Sequence, residues 1–303
     1  MDKNHLTKPF WFANVWTFFP DLGIDDLEIN YLKWRALQGS FAQMAQPALL
    51  TQVLDQEIRQ TIPKDLKGIC IAFHYGPYRQ LPRYLIAAGY RIAVVASPEV
   101  IRRESDTTFN DLLINNLPKD TLQYIDAARP TVLRNIISAL QDHRIVLLYL
   151  DADAGLRQMA AKNHQALMKV PVRQKELYFH SNTARLAYKF GIPVSFMLMD
   201  RGSTDGRWKI ALLNKLAFRK NEPLLGYLKR FKMKLTRVLN RIMKQDWTAW
   251  ENWPMLHLYQ PDLAITDANV SNAPVWVMPI NMQQRQFFFD VKNKRFFEIK
   301  PID

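Results

Sequence analysis

One histidine and two aspartates directly follow apolar runs of strand length, and these residue types can carry proton transfer. His74 follows the run 68–73, while Asp151 and Asp153 follow the run 144–150. A neutral imidazole accepts a proton near neutral pH, and a carboxylate can orient the ring and stabilise the imidazolium. The two aspartates could equally be loop carboxylates that cap the next helix. The sequence therefore predicts general-base chemistry at His74, with Asp151 and Asp153 as candidate catalytic partners.

The stretch 67–97 predicts the elements that position His74. It contains an apolar strand over 68–73, a polar turn, a helix over 80–88 ended by Gly89, and a second strand over 91–96. A strand, a turn and a helix make a βα junction, which is where α/β folds display reactive groups. We therefore expect the imidazole at the carboxyl end of a buried strand.

The rest of the chain alternates between strand and helix patterns as far as residue 213. Predicted helices cover 108–116, 130–141 and 181–190, and predicted strands cover 122–125, 144–150, 192–199 and 208–213. This alternation predicts an α/β fold with a mostly parallel central sheet flanked by helices. We expect a helical segment over 1–60, the α/β domain over 61–260, and a C-terminal β extension over 261–303. That extension is predicted to pack on the same domain and to end in a hairpin turning at 292–294.

Composition limits the function classes. Cys70 is the only cysteine, so the chain can form neither an internal disulfide framework nor a cysteine-based metal site, which favours a cytoplasmic protein. The six histidines show no metal-ligand spacing, and no metal is predicted.

The N-terminus has no continuous apolar run of signal-peptide or membrane-span length. An aromatic cluster over 10–19 suits either a helix packed on the core or an interfacial membrane anchor.

The net charge of +13 predicts an acidic partner, such as an acidic carrier protein, a phosphorylated ligand or an anionic membrane surface. No nucleic-acid-binding module is recognisable, so specific nucleic-acid binding is not expected. Much of the charge lies on a predicted amphipathic helix within 222–244, which is either a solvated face or a docking surface for a carrier protein or a membrane. The candidate docking residues are Lys229, Arg230, Lys232, Lys234, Arg237 and Arg241.

Four blocks, in the same order and at similar spacing, resemble the lysophospholipid acyltransferase superfamily, and most of all its lipid A late acyltransferases. They are IAFHYGPYRQLPRYLIAAGYRIAVV, LLYLDADAG, NTARLAYKFGIPVSFML and RIMKQDWTAWENW, within residues 60–255. The resemblance implies an acyltransferase-like fold. It also implies transfer of an acyl group from an acyl carrier protein or coenzyme A thioester to a hydroxyl or amine of a lipid or small metabolite. The thioester would be a co-substrate, with no bound cofactor.

The chain departs from this family in two respects. Arg79 stands where the family's His-x4-Asp/Glu motif has its acid, and the N-terminal membrane helix typical of the lipid A enzymes is missing. The second departure implies a cytoplasmic enzyme that is soluble or peripheral on the inner face of the membrane. The first removes the usual partner of His74, because a guanidinium accepts no hydrogen bond and would lower the pKa of a nearby imidazole.

Three explanations of Arg79 fit the sequence. A carboxylate from elsewhere, Asp151 or Asp153, replaces the family acid; or His74 acts alone while Arg79 binds a phosphate, a pantetheine or a substrate carboxylate. In the third, the site is inactive and the protein is a non-catalytic relative that binds lipid or carrier protein. The candidate substrate-binding residues are Tyr75, Gly76, Tyr78, Arg79 and Arg157. Because Cys70 lies within a strand and no nucleophile elbow is present, transfer is expected within a ternary complex.

Overall fold

A computed structural model describes residues 4–45, 62–152, 167–201, 206–260, 276–282 and 285–298. The helices are α1 (Asn4–Phe18), α2 (Ile24–Met44), α3 (Leu81–Ala87), α4 (Pro98–Ile114), α5 (Val132–Gln141), α6 (Asn182–Lys189) and α7 (Leu224–Lys244). The strands are β1 (Ile69–Ala72), β2 (Ile92–Ala96), β3 (Leu122–Asp126), β4 (Ile145–Tyr149), β5 (Leu167–Val172), β6 (Lys175–His180), β7 (Val194–Arg201), β8 (Trp208–Leu216), β9 (Val277–Met282), β10 (Arg285–Asp290) and β11 (Arg295–Glu298).

Six of these strands form a central sheet in the order β3-β2-β4-β1-β7-β8. The pairs β2–β3, β2–β4, β1–β4 and β1–β7 are parallel, and only β8 at the edge runs antiparallel to its neighbour. All four residues of β1 are buried, as expected for a central strand covered by helices on both faces. The predicted α/β fold with a mostly parallel sheet is therefore confirmed.

Alternate residues of β1 divide the core into two layers. Ile69 and Ile71 pack in the larger layer with residues of α1, α2, α5, α6 and α7. Cys70 and Ala72 face the other layer, which includes residues of α3 and α4. This alternation is the two-residue period of a strand, so successive side chains on β1 stabilise opposite sides of the sheet.

The N-terminal aromatic cluster lies mainly in the core. Trp11, Phe12 and Phe18 are buried, and α1 packs against a 3-10 segment, Trp253–Tyr259. Of the two interpretations of this cluster, the packed helix describes the structure. None of the described helices combines the length and apolar composition needed to cross a bilayer. Residues 46–60 of the predicted helical segment 1–60 lie outside the described residues.

The starts of two helices differ from prediction. Helix α4 starts at Pro98 instead of 108, because Ser97 caps it by accepting a hydrogen bond from Val100 N and proline suits its first position. The helix after His74 starts with a 3-10 turn, Tyr78–Gln80, before α3. The C-terminal β extension is confirmed as an antiparallel sheet in the order β11-β10-β9, in which β10 and β11 form the predicted hairpin and β9 pairs with β10. It contacts α1, where the ring centroids of Phe10 and Phe289 are 5.1 Å apart.

Candidate active site

The register of the central sheet brings His74 and Asp151 together. Strands β1 and β4 are parallel neighbours, with Ala72 opposite Tyr149. His74 and Asp151 each follow two residues after this pair, and His74 Nδ1 lies 2.8 Å from Asp151 Oδ1. A carboxylate oxygen accepts hydrogen bonds, so Nδ1 carries the proton and donates it. Nε2 is then the ring nitrogen with a lone pair, and no described residue hydrogen-bonds it.

Asp151 is held rigidly by its neighbours. Its side chain is completely buried, and its two oxygens each lie 3.1 Å from the backbone N of His74. The indole Nε1 of Trp250 donates to Asp151 Oδ2 at 2.7 Å. Asn252 Nδ2 donates to the backbone oxygen of Asp151 at 2.6 Å and lies 3.2 Å from His74 Nδ1. These contacts fix the carboxylate against the imidazole.

Trp250 and Asn252 reach the site because their segment pairs with the turn after β1. A 3-10 turn, Trp247–Ala249, ends beside this turn, where Gly76 N donates to Ala249 O at 3.0 Å. Glu251 N donates to His74 O at 2.8 Å, and Tyr75 and Trp250 form an antiparallel bridge. The backbone around His74 is therefore anchored by a segment far away in the sequence.

Two tyrosines enclose the imidazole. The ring centroid of His74 lies 4.6 Å from that of Tyr78 and 4.9 Å from that of Tyr149. The Tyr149 hydroxyl donates to Tyr78 O at 2.9 Å, which ties the two walls together. The His74 side chain is 19% exposed, so the ring is confined and still accessible.

Opposing influences act on the pKa of His74. Burial lowers this pKa, but the charge and hydrogen bond of Asp151 raise it, and so does the charge of Glu251. Arg79 lowers it, as the sequence predicts for a nearby guanidinium. The net pKa is nevertheless above the ordinary histidine value. The lowering effect predicted for Arg79 is therefore present, but the two carboxylates outweigh both it and the larger lowering effect of burial.

Arg79 does not replace the family acid. Its Nε donates to the Tyr78 hydroxyl at 3.1 Å, and its Nη2 lies 3.6 Å from Glu251 Oε1. Glu251 is one residue from Trp250, which holds Asp151. Sequence reasoning singled out neither Glu251 nor Asn252, although both lie in the WTAWENW block that carries part of the family resemblance.

The other predicted substrate-binding residues lie in different environments. Tyr75 is 1% exposed and packs on Trp208, with ring centroids 5.9 Å apart, so its side chain belongs to the core. Gly76 has a φ of +61°, and a Cβ there would lie 2.6 Å from the Trp208 ring, so the turn requires glycine. Gly76 and Tyr78 both line a cleft beside the dyad. Asp153 and Arg157 lie outside the described residues.

The candidate docking residues on α7 are divided between structural and exposed positions. Arg230 pairs with Glu222, Arg241 pairs with Asp200, and Lys234 donates to Asn214 Oδ1 at 3.1 Å. These three tie α7 to neighbouring segments, and Lys232 is half-buried. Lys229, Arg237 and Arg241 are exposed, but Arg241 is paired with Asp200, so the unpaired charge that faces solvent is smaller than the sequence indicates.

Within the described segments, no group of three or more histidine, cysteine, aspartate or glutamate side chains is arranged to hold a metal ion. The chemistry that this arrangement offers is proton transfer by a buried histidine–aspartate pair. Comparison with models of protein families and with curated proteins found no match to this chain, so the case for its function rests on the geometry of this site and on the sequence blocks around it.

Proposed function

We propose that this protein is an acyltransferase in which His74 is the general base. The acyl donor is a thioester of an acyl carrier protein or coenzyme A, and the acceptor is a hydroxyl or amine of a lipid or small metabolite. The 2.8 Å contact between His74 Nδ1 and Asp151 Oδ1 carries the proposal, because it supplies the oriented base that this chemistry needs. The choice of acyl transfer, and of an acyltransferase-like fold, is supported by the four ordered blocks that resemble the family.

In the proposed reaction, His74 Nε2 accepts the proton of the acceptor hydroxyl or amine while its oxygen or nitrogen attacks the thioester carbonyl. The new carbon–oxygen or carbon–nitrogen bond forms, and the carbon–sulfur bond breaks. The leaving sulfur takes the proton back from the imidazolium, so the enzyme returns to its starting state. Asp151 keeps the proton on Nδ1 and stabilises the imidazolium while it exists.

Asp151 would thus take the role that the family gives to the acid in His-x4-Asp/Glu. The exchange is physically reasonable because β1 and β4 are parallel neighbours, so a carboxylate after β4 reaches the same edge of the sheet. Arg79 then has no part in orienting His74 and can bind the substrate. We further propose that the exposed cations Lys229 and Arg237 face an acidic carrier protein or the inner face of a membrane.

A covalent acyl-enzyme is not expected at the cysteine. Cys70 lies within β1 and is fully buried, and burial raises the pKa of its thiol to about 12. A thiol that stays protonated near neutral pH is a poor nucleophile. Transfer should therefore occur directly between the two substrates in a ternary complex.

The test is turnover with panels of acyl-coenzyme A and acyl carrier protein donors and of hydroxyl and amine acceptors. We expect thiol release that depends on the acceptor, an acylated acceptor in the mass spectrum, and intersecting initial-velocity lines without an acylated protein. Cys70→Ala should retain this activity. Thiol release no faster than without protein, across the panels, would overturn the proposal and favour the non-catalytic lipid- or carrier-binding relative.

The raised pKa of His74 predicts the acid limb of the pH profile. Only neutral imidazole can accept a proton, so kcat/KM should rise with pH through a pKa above 6.5. Glu251→Gln removes an influence that raises this pKa and should shift the limb to lower pH. Arg79→Gln removes one that lowers it and should shift the limb to higher pH. Arg102→Gln, on the exposed side of α4, is the control that should leave the limb in place. Shifts in the same direction for both site variants would contradict the assignment of the limb to His74.

A further inference from the structure

A cleft of about 430 Å³ adjoins the dyad. One wall is the α2 side, including Trp34, Arg35 and Gln38, and the other is the turn that follows His74, with Glu251 at its edge. This volume is within the range of small-molecule sites. The cleft neighbours the reacting group, because Tyr78 lines it and also packs against the His74 ring.

Two arginines with donors to spare lie along this cleft. Arg35 donates from Nη1 to the Tyr31 hydroxyl at 3.4 Å, and no carboxylate among the described residues pairs with it. Arg79 forms an ion pair with Glu251 across 3.6 Å, a distance that is too long for a hydrogen bond. The guanidinium donors of both side chains are therefore not satisfied by a close carboxylate.

Gln38 adds an independent observation. Its Nε2 is buried and has no hydrogen-bond partner among the described residues, although Gln38 lines the cleft. A buried amide donor without an acceptor costs free energy, and such groups in folded proteins call for an explanation. An acceptor oxygen brought by a ligand would satisfy it if the amide turns towards the cleft, because Nε2 is out of contact with solvent as it stands.

We propose that this cleft binds an oxyanion of the substrate, a phosphate or a carboxylate, through Arg35, Arg79 and Gln38. This inference rests on the proposed function, since it uses the position of the cleft beside the acyl-transfer base. The oxygens of such a group suit forked guanidinium donors and an amide N–H. The anion belongs either to the acceptor or to the phosphopantetheine of the donor.

The experiment measures binding without turnover. Inorganic phosphate is titrated into the full-length protein by calorimetry at low salt. Arg35→Gln and Arg79→Gln should each weaken binding roughly 10- to 100-fold, as expected for loss of a charged hydrogen bond. Gln38→Met, which keeps the side-chain length, should weaken it less. Arg102→Gln removes the same charge from an exposed site on α4 and should leave affinity unchanged. Equal affinity in all four variants and the unaltered protein, or no binding at all, would overturn the proposal.

Competition then identifies the source of the anion. Displacement of phosphate by 4′-phosphopantetheine assigns the cleft to the donor, and displacement by phosphoethanolamine or lactate assigns it to an acceptor. Failure of all three to displace phosphate would overturn the assignment to a substrate. The two proposals can be overturned independently. If phosphate binding depends on the arginines but no acyl transfer is detected, the acyltransferase proposal is overturned and the anion-binding proposal stands. If acyl transfer is detected but both arginine variants bind phosphate as the unaltered protein does, only the anion-binding proposal is overturned.

Discussion

Replacing Asp151 by asparagine is expected to lower kcat/KM by about 10⁴-fold, the loss typical when the orienting carboxylate of a catalytic histidine becomes an amide. The surroundings explain why the amide cannot be accommodated. Trp250 Nε1 always donates, and it faces Oδ2 at 2.7 Å, so the amide NH₂ must turn away from the indole. It then points at His74 Nδ1, which must accept, and the ring proton moves to Nε2. A histidine protonated on Nε2 cannot act as the base there.

The measurement is steady-state kinetics of Asp151→Asn, with thermal unfolding to verify that the variant is folded. Asp126→Asn is the matched control, because Asp126 ends the parallel strand β3 and contacts Arg129 and Ala128 instead of a histidine. It should retain activity. A folded Asp151→Asn variant within 10-fold of the unaltered rate would show that His74 works without an orienting acid, as in the lone-base explanation.

The pairing of Asp151 with His74 shows where sequence information ends. The apolar runs before His74 and Asp151 predict two buried strands, and the parallel-sheet pattern predicts that their carboxyl ends share an edge. Only the sheet order makes β1 and β4 neighbours, and only their register sets the 2.8 Å contact. Both depend on long-range packing, which local residue patterns do not encode.

Trp250 and Asn252 were beyond prediction for a related reason. They contact Asp151 from 99 and 101 residues away in sequence, so no local spacing indicates the pairing. The early start of α4 is a different case, because Ser97, Pro98 and Glu99 form a recognisable helix start that precedes a polar helix with few buried residues. The weak apolar periodicity there concealed the helix, whereas its capping residues could have indicated it.

The pKa of His74 illustrates the same limit for electrostatics. Arg79 is close in sequence, so its lowering influence could be predicted from the motif. Asp151 and Glu251 raise the pKa from distant segments, and together with the hydrogen bond of Asp151 they outweigh both Arg79 and burial. The sign of the shift is therefore a property of the folded site.

Replacing His74 by glutamine should lower kcat roughly 10²- to 10⁴-fold, the usual contribution of a general base. Glutamine keeps a polar side chain beside Asp151 but cannot accept a proton near neutral pH. If His74 and Asp151 act as one unit, adding Asp151→Asn to this variant should cause little further loss, because the orienting group has nothing left to orient. The measurement is a double-mutant cycle on kcat with the best donor and acceptor pair.

His143→Asn is the control, since His143 is exposed in the loop before β4 and asparagine suits its φ of +57°. Losses that multiply in the double variant would mean that Asp151 and His74 serve separate steps, which contradicts the dyad. Equal activity in His74→Gln and the unaltered protein would overturn the assignment of His74 as the general base. Because phosphate binding in the cleft does not require His74, His74→Gln should still bind phosphate. Retained binding would show that the variant lost activity through loss of the base and not through collapse of the site.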